Sequence, residues 1–279
     1  MGYAADSTIL VPMADNLEAL EGFIEQHVRP SLQDLRIPEK VPSHAALLRA
    51  ALRRRRIEIR EVGPNRVFVF GGTVIGGMDP QVTTLVSAHA RRIAGDETLT
   101  RRHLQLQGVP MPPAAGSEEQ PAASAASSES ADAAPAPDAQ PAPDAPPAGL
   151  DLRVFVVGGQ AAGAVAYVPL SALEPLLEAG LTERLRQVPA YPEGGIPVEV
   201  TAELDGGLAD LAVDALWSVP GLAAGAVDLL VPRLDSAADA LVLGLDVEAS
   251  VVPHHLPALG EPRDVAGAIA DQLLIRASR

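Results

Sequence analysis

One tract limits every fold open to this chain. Pro113 to Ala148 is built from Pro, Ala, Ser, Gly, Gln and acidic residues, with no large hydrophobe. Such a segment cannot bury enough apolar surface to offset the entropy lost on ordering it, and its prolines favour a semi-extended spacer. The chain therefore divides into an N-terminal α/β region over 1–112, a disordered linker over 113–148 and a C-terminal domain over 149–279. The 279 residues still leave enough sequence on either side of the linker for a sizeable core. Aromatic residues make up only 3% of the chain, so that core is aliphatic.

Bulk chemistry excludes several functions. A net charge of −15 opposes nucleic-acid binding, which needs cations against phosphate. The chain has no Cys, which removes disulfides, thiolate metal sites and a thiol nucleophile. No apolar run approaches the ~20 residues that span a bilayer, so no membrane partner is expected. The N-terminus lacks the basic and apolar regions of a secretory signal, and a cytoplasmic location is the expectation. Lys40 is the single Lys among the basic residues, so no mechanism that needs two ammonium groups on phosphates can run here.

Periodicity supplies the elements. Leu17, Leu20, Ile24 and Val28 predict a helix over 17–28, broken after Pro30. Ser43 opens a capped helix ending in Arg53 to Arg56, where four cations complement the helix dipole, and a half-buried strand follows over 57–62. Two short strands flank the Gly71-Gly72 turn. The sequence Ser87 to Pro112 reads as two helices, the second capped by Asp96 or Thr98 and ended by Gly108. Beyond the linker, Gly149 to Pro169 carries further strands. A helix over 170–185, a strand over 196–204, a helix over 209–217 and a terminal helix over 264–275 complete an α/β (α+β) chain. Trp217, the only Trp, is assigned to packing.

The chemistry concentrates in Gly225 to Val265. Two apolar runs, 226–231 and 240–247, have strand length and β-branched content and are joined by turn-forming residues, which predicts an antiparallel pair. Each carries acid. Side chains two apart on a strand share a face, so Asp246 and Glu248 point the same way, and pairing brings Asp228 beside them. Three converging carboxylates raise one another's pKa unless a cation neutralises them, and hard oxygen donors suit Mg²⁺.

These residues carry a resemblance. Asp228, Asp246, Glu248, His254 or His255, and Gly260 to Val265 resemble the metal-binding end of the ATP-grasp enzymes, the carboxylate-amine ligases that include glutathione synthetase and cyanophycin synthetase. Asp246 stands at that family's Glu position and Glu248 at its Asn position. Ile93, Ala94, Asp96, Thr100, Gly108, Val109, Pro110 and Pro112 match a second family phrase, with Glu97 where the family has Lys. Arg153, Val154, Val156, Gly158 and Gly159 match a third. The resemblance implies a truncated ATP-grasp-like fold in two halves joined by the linker, with ATP and Mg²⁺ as cofactors, Asp228, Asp246 and Glu248 as metal ligands, and Arg153 as a phosphate-contacting catalytic residue. It also shows what is replaced. The linker stands where the family has a Lys-bearing strand, a glycine-rich loop over the phosphates and an adenine-contacting hinge, and Tyr167 stands before Pro169 where the family places Arg. A degenerate member is expected, acting as a binding or regulatory partner of another protein or of an intact ATP-grasp homologue and keeping a cation site. The alternatives are an active ligase with a remodelled nucleotide site and a plain scaffold.

Overall fold

The computed structural model describes residues 17–113, 149–178, 180–188 and 195–278. Apart from Pro113, the linker expected over 113–148 lies outside them. Helix α1 (Leu17–Phe23) runs without interruption into a π-helical turn over Ile24–Val28 and a 3-10 turn over Arg29–Asp34. The helical path thus outlasts the break expected at Pro30, because proline is tolerated in the first turn of a new helical segment, where its missing N–H has no carbonyl to serve.

Helix α2 (His44–Arg54) starts where predicted, with the Ser43 hydroxyl accepting from the Ala46 N–H at 3.2 Å. A four-stranded antiparallel meander follows, made of β1 (Glu58–Val62), β2 (Asn65–Phe70), β3 (Thr73–Asp79) and β4 (Val82–Thr83). Gly71 and Gly72 close the β2–β3 hairpin at φ 57° and 84°, angles that a side chain would resist. Helices α3 (Ala88–Ala94) and α4 (Glu97–Leu106) are capped by Ser87 and Asp96.

The second block opens with β5 (Leu150–Val157) and β6 (Gln160–Pro169). The single helix expected over 170–185 is instead α5 (Leu170–Leu173), a 3-10 turn over Glu174–Leu176 and α6 (Leu181–Arg186). Pro175 cannot donate into a continuing helix, and Gly180 is left-handed at φ 86°. Strand β7 (Gly195–Glu199) ends well before the expected Leu204, since the chain turns back with Glu203 N–H donating to the Val200 carbonyl. Helix α7 (Gly206–Trp217), strands β8 (Ala224–Val231) and β9 (Leu241–Asp246), the short α8 (Val252–His255) and α9 (Val265–Ala277) complete the chain.

Strands β7-β6-β5-β8-β9 form one sheet in that order, every neighbour antiparallel. Alternation along each strand separates two faces. Leu152, Val154, Ala166, Val198, Val227 and Leu229 point into a core shared with α7 and with Phe23, Ile24 and Val28. The opposite face is apolar at one end only, where Phe155, Val157, Ala224 and Ala226 pack with residues of α2 and α9. Its other end carries Arg153, Asp228 and Tyr167 among the buried Val165 and Leu230.

Both outer edges of this sheet are occupied. The Val242 N–H of β9 donates to the Pro110 carbonyl at 2.8 Å, and beside β7 the Glu199 N–H donates to the Leu259 carbonyl at 2.9 Å.

The blocks on either side of the linker are joined throughout. Ser87 N–H donates to Gly221 O, Ala223 N–H to Leu85 O, and Arg54 and Arg55 pair with Asp264 and Asp271. Residues from both blocks fill both cores. Among the described residues no helix is long and apolar enough to cross a membrane. Trp217 is 57% exposed. One edge of its ring lies over the β5–β6 turn, where a Cβ on Gly159 would come within 2.3 Å of it.

Candidate functional site

The polar end of the sheet gathers residues by register. Arg153 on β5 stands directly across from Asp228 on β8, so the two side chains leave the sheet side by side. The guanidinium grips the carboxylate with two bonds, Nε to Oδ1 at 2.7 Å and Nη2 to Oδ2 at 2.9 Å. Asp228 in turn faces Gly244, and Asp246 lies two residues further along β9 opposite Ala226. Gly244 puts no side chain between the two acids, and Asp246 Oδ2 reaches Arg153 Nη1 at 3.5 Å. The pairing register shifts between Asp228 and Leu229, with Leu243 of β9 the extra residue, an irregularity of the kind that re-aims side chains next to sites.

All three groups are partly covered, with side chains 24%, 33% and 37% exposed for Arg153, Asp228 and Asp246. Burial disfavours the charge on Arg153, but the bonds from Asp228 outweigh it and hold the guanidinium protonated beyond its already high ordinary range. For Asp246 burial wins over the attraction of Arg153, and its pKa is raised. Tyr167 on β6 shares this face. Burial pushes its phenol up to about 12, against the opposing pull of Arg153.

Glu248 goes elsewhere. Strand β9 stops at Asp246, so two-residue alternation no longer applies and the expectation of a shared face fails at that point. The Glu248 N–H folds back onto Asp246 Oδ1 at 2.9 Å, and its carboxylate meets Arg91 Nη2 at 2.5 Å. Arg91 also lies 3.6 Å from Asp79. The structure therefore brings Arg153, Asp228 and Asp246 together and places Glu248 with an arginine of the other block. Among the described residues no group of three or more His, Asp or Glu side chains is disposed to hold a metal ion. The donor set expected for Mg²⁺ does not fit one, because each of its carboxylates already faces a guanidinium.

Next to this cluster lies a second one. Glu199, with its side chain 1% exposed, accepts from the Thr201 N–H at 2.9 Å and from Arg263 Nε at 3.2 Å. Its other oxygen lies 3.9 Å from Nδ1 of the fully buried His254, too far for a hydrogen bond. Among the described residues, neither ring nitrogen of His254 has a hydrogen-bond partner. The ring packs edge-on against Phe155 at 5.8 Å between centroids and against Gly163, where a Cβ would stand 2.8 Å from Nδ1. His255 accepts from the Ala266 N–H at the start of α9.

Sequence reasoning missed Tyr167, Glu199, Arg263 and Arg91 as members of these clusters. Tyr167 was accessible from period-two alternation once the β5–β6 hairpin is drawn. Glu199 was obscured by the overlong strand assigned there, and nothing in local spacing links Arg91 to Glu248.

An antiparallel sheet with one half-covered polar face, carrying a paired Arg and Asp on adjacent strands, defines the class of scaffold. No protein-family model matches the sequence, and no curated protein matches it. Among solved structures, that of a bifunctional glutathione synthetase from Pasteurella multocida aligns with 83% of this chain at 14% identity and a TM-score of 0.59. The chain covers 44% of that protein's length. The ATP-grasp ligase PsnB, complexed with minimal precursor, Mg and ADP, aligns over 48% of this chain and 35% of its own at 17% identity, with a TM-score of 0.33. The chain has a truncated ATP-grasp-like fold.

Proposed function

We propose that this chain is a degenerate ATP-grasp-fold protein that acts as a non-catalytic binding or regulatory partner, with an intact ATP-grasp homologue as the first candidate to bind it. The observation that carries the proposal is the engagement of Asp228 and Asp246 by Arg153 and of Glu248 by Arg91. Phosphoryl transfer depends on cations placed to stabilise charge on the moving group. Here Arg153, the cationic side chain at a matching position, is engaged by the chain's own acids, and the linker stands where the resemblance puts the phosphate-gripping lobe. Titration of the protein with MgATP tests the proposal by calorimetry. No saturable heat at millimolar nucleotide is expected. Saturable binding that Asp246→Ala abolishes would overturn it in favour of an active ligase, the second reading, which the retention of Arg153 and Asp228 at matching positions favours.

A further inference from the structure

The disagreement between the carboxylates and a metal ion can be taken further. Without the guanidinium, Asp228 and Asp246 would supply the one or two carboxylates that Mg²⁺ commonly takes while it completes its shell with water and phosphate oxygens. Nothing in the backbone blocks one. Position 244, between the two acids, is a glycine whose missing Cβ would meet no atom within 4 Å. What stands in the way is the guanidinium, bonded twice to Asp228 and 3.5 Å from Asp246.

We infer that Arg153 is a built-in cation that keeps a divalent ion from Asp228 and Asp246 in this chain, and that removing its charge converts the pair into a metal site. Three features of the geometry support this. The Asp228 contact is a fork-to-fork pairing, which fixes direction as well as charge. The two residues are register partners on adjacent strands, so the pairing costs little side-chain ordering. The Arg153 side chain is only 24% exposed, which limits its escape into water when an ion approaches. An incoming Mg²⁺ would have to displace a covalently tethered positive charge, and Glu248 already holds Arg91. The inference rests on these contacts and does not depend on the partner role proposed above.

Mn²⁺ binding to the full chain tests it, read by the electron paramagnetic resonance signal of free Mn²⁺. Wild-type protein is expected to show no saturable binding at millimolar ion. Arg153→Gln is expected to bind at least about tenfold more tightly than wild type, and the double variant Arg153→Gln with Asp228→Asn is expected to lose that gain. Saturable binding to the wild type that Asp228→Asn abolishes overturns the inference, and so does an Arg153→Gln protein that folds and gains nothing. Should Arg153→Gln not fold, the wild type decides through the nitrogen-15 resonance of the Arg153 side-chain Nε–H. Retention of its intensity in Mn²⁺ supports the inference, and selective paramagnetic bleaching overturns it. Wild-type protein that binds Mn²⁺ but no nucleotide sinks this inference alone, whereas nucleotide binding without Mn²⁺ sinks only the proposed role.

Discussion

His254 shows how much a single side chain can set. It is fully buried, and neither ring nitrogen is hydrogen-bonded among the described residues, so burial depresses its pKa despite the nearby Glu199 carboxylate. A group that stays neutral in the folded state while the unfolded chain takes up a proton contributes stability above the unfolded pKa and loses it as pH falls below that value. Thermal stability is therefore expected to decline as pH drops from 7.5 through about 6.5, the ordinary imidazole range, towards 5.5. His44 and His255, also lowered by burial, share the effect. His254→Phe keeps a ring against Phe155 and removes one titrating group, so its melting temperature should fall less over the same interval. An unchanged slope in that variant would show that His254 takes up its proton equally in the folded and the unfolded chain. The sequence could not choose between His254 and His255 at the matching family position. The choice depends on which ring lies beneath the sheet, and that is set by the turn of α8, too short to leave a periodic trace.

At the scale of elements, sequence patterns succeeded where local chemistry decides and failed where the chain interrupts itself. Ser43, Asp96 and Asp264 cap their helices as their residue types suggest, and the β8–β9 pair forms as its apolar runs foretell. The run over 170–185 broke because apolar periodicity persists across Pro175 and Gly180 while the backbone cannot. Asp246 and Glu248 separated because the strand ended at the first of them. Asp264 offers an element-level test. Its carboxylate accepts from the Gly267 N–H at 3.0 Å and also pairs with Arg54 of α2, so it both starts α9 and ties it to the other block. Asp264→Ala is expected to cost about 1–2 kcal/mol in urea denaturation. The ion pair, more than half exposed on both sides, adds little to that cap value.

For the molecule as a whole, the decisive fact is that neither block on either side of the linker owns a core. Phe23, Ile24, Val28, Ile93 and Leu104 share one apolar cluster with β5 to β9, and Leu48, Leu52, Phe68 and Leu85 share the other with α9. Residues 1–112 and 149–279 were separable in the sequence by composition, but their mutual burial was not legible, since long-range packing leaves no local signal. Limited proteolysis within 113–148 should therefore yield two fragments that co-elute on gel filtration and melt together. Fragments that separate without denaturant would contradict shared cores.

The coverings on the two flanks of the five-stranded sheet have a consequence for self-association. With Pro110 seated on one outer strand and Leu259 on the other, a stray β-segment from a neighbouring molecule meets backbone groups there that are already engaged. A fibre growing on this sheet by strand-upon-strand addition has first to dislodge the segments around Pro110 or Leu259.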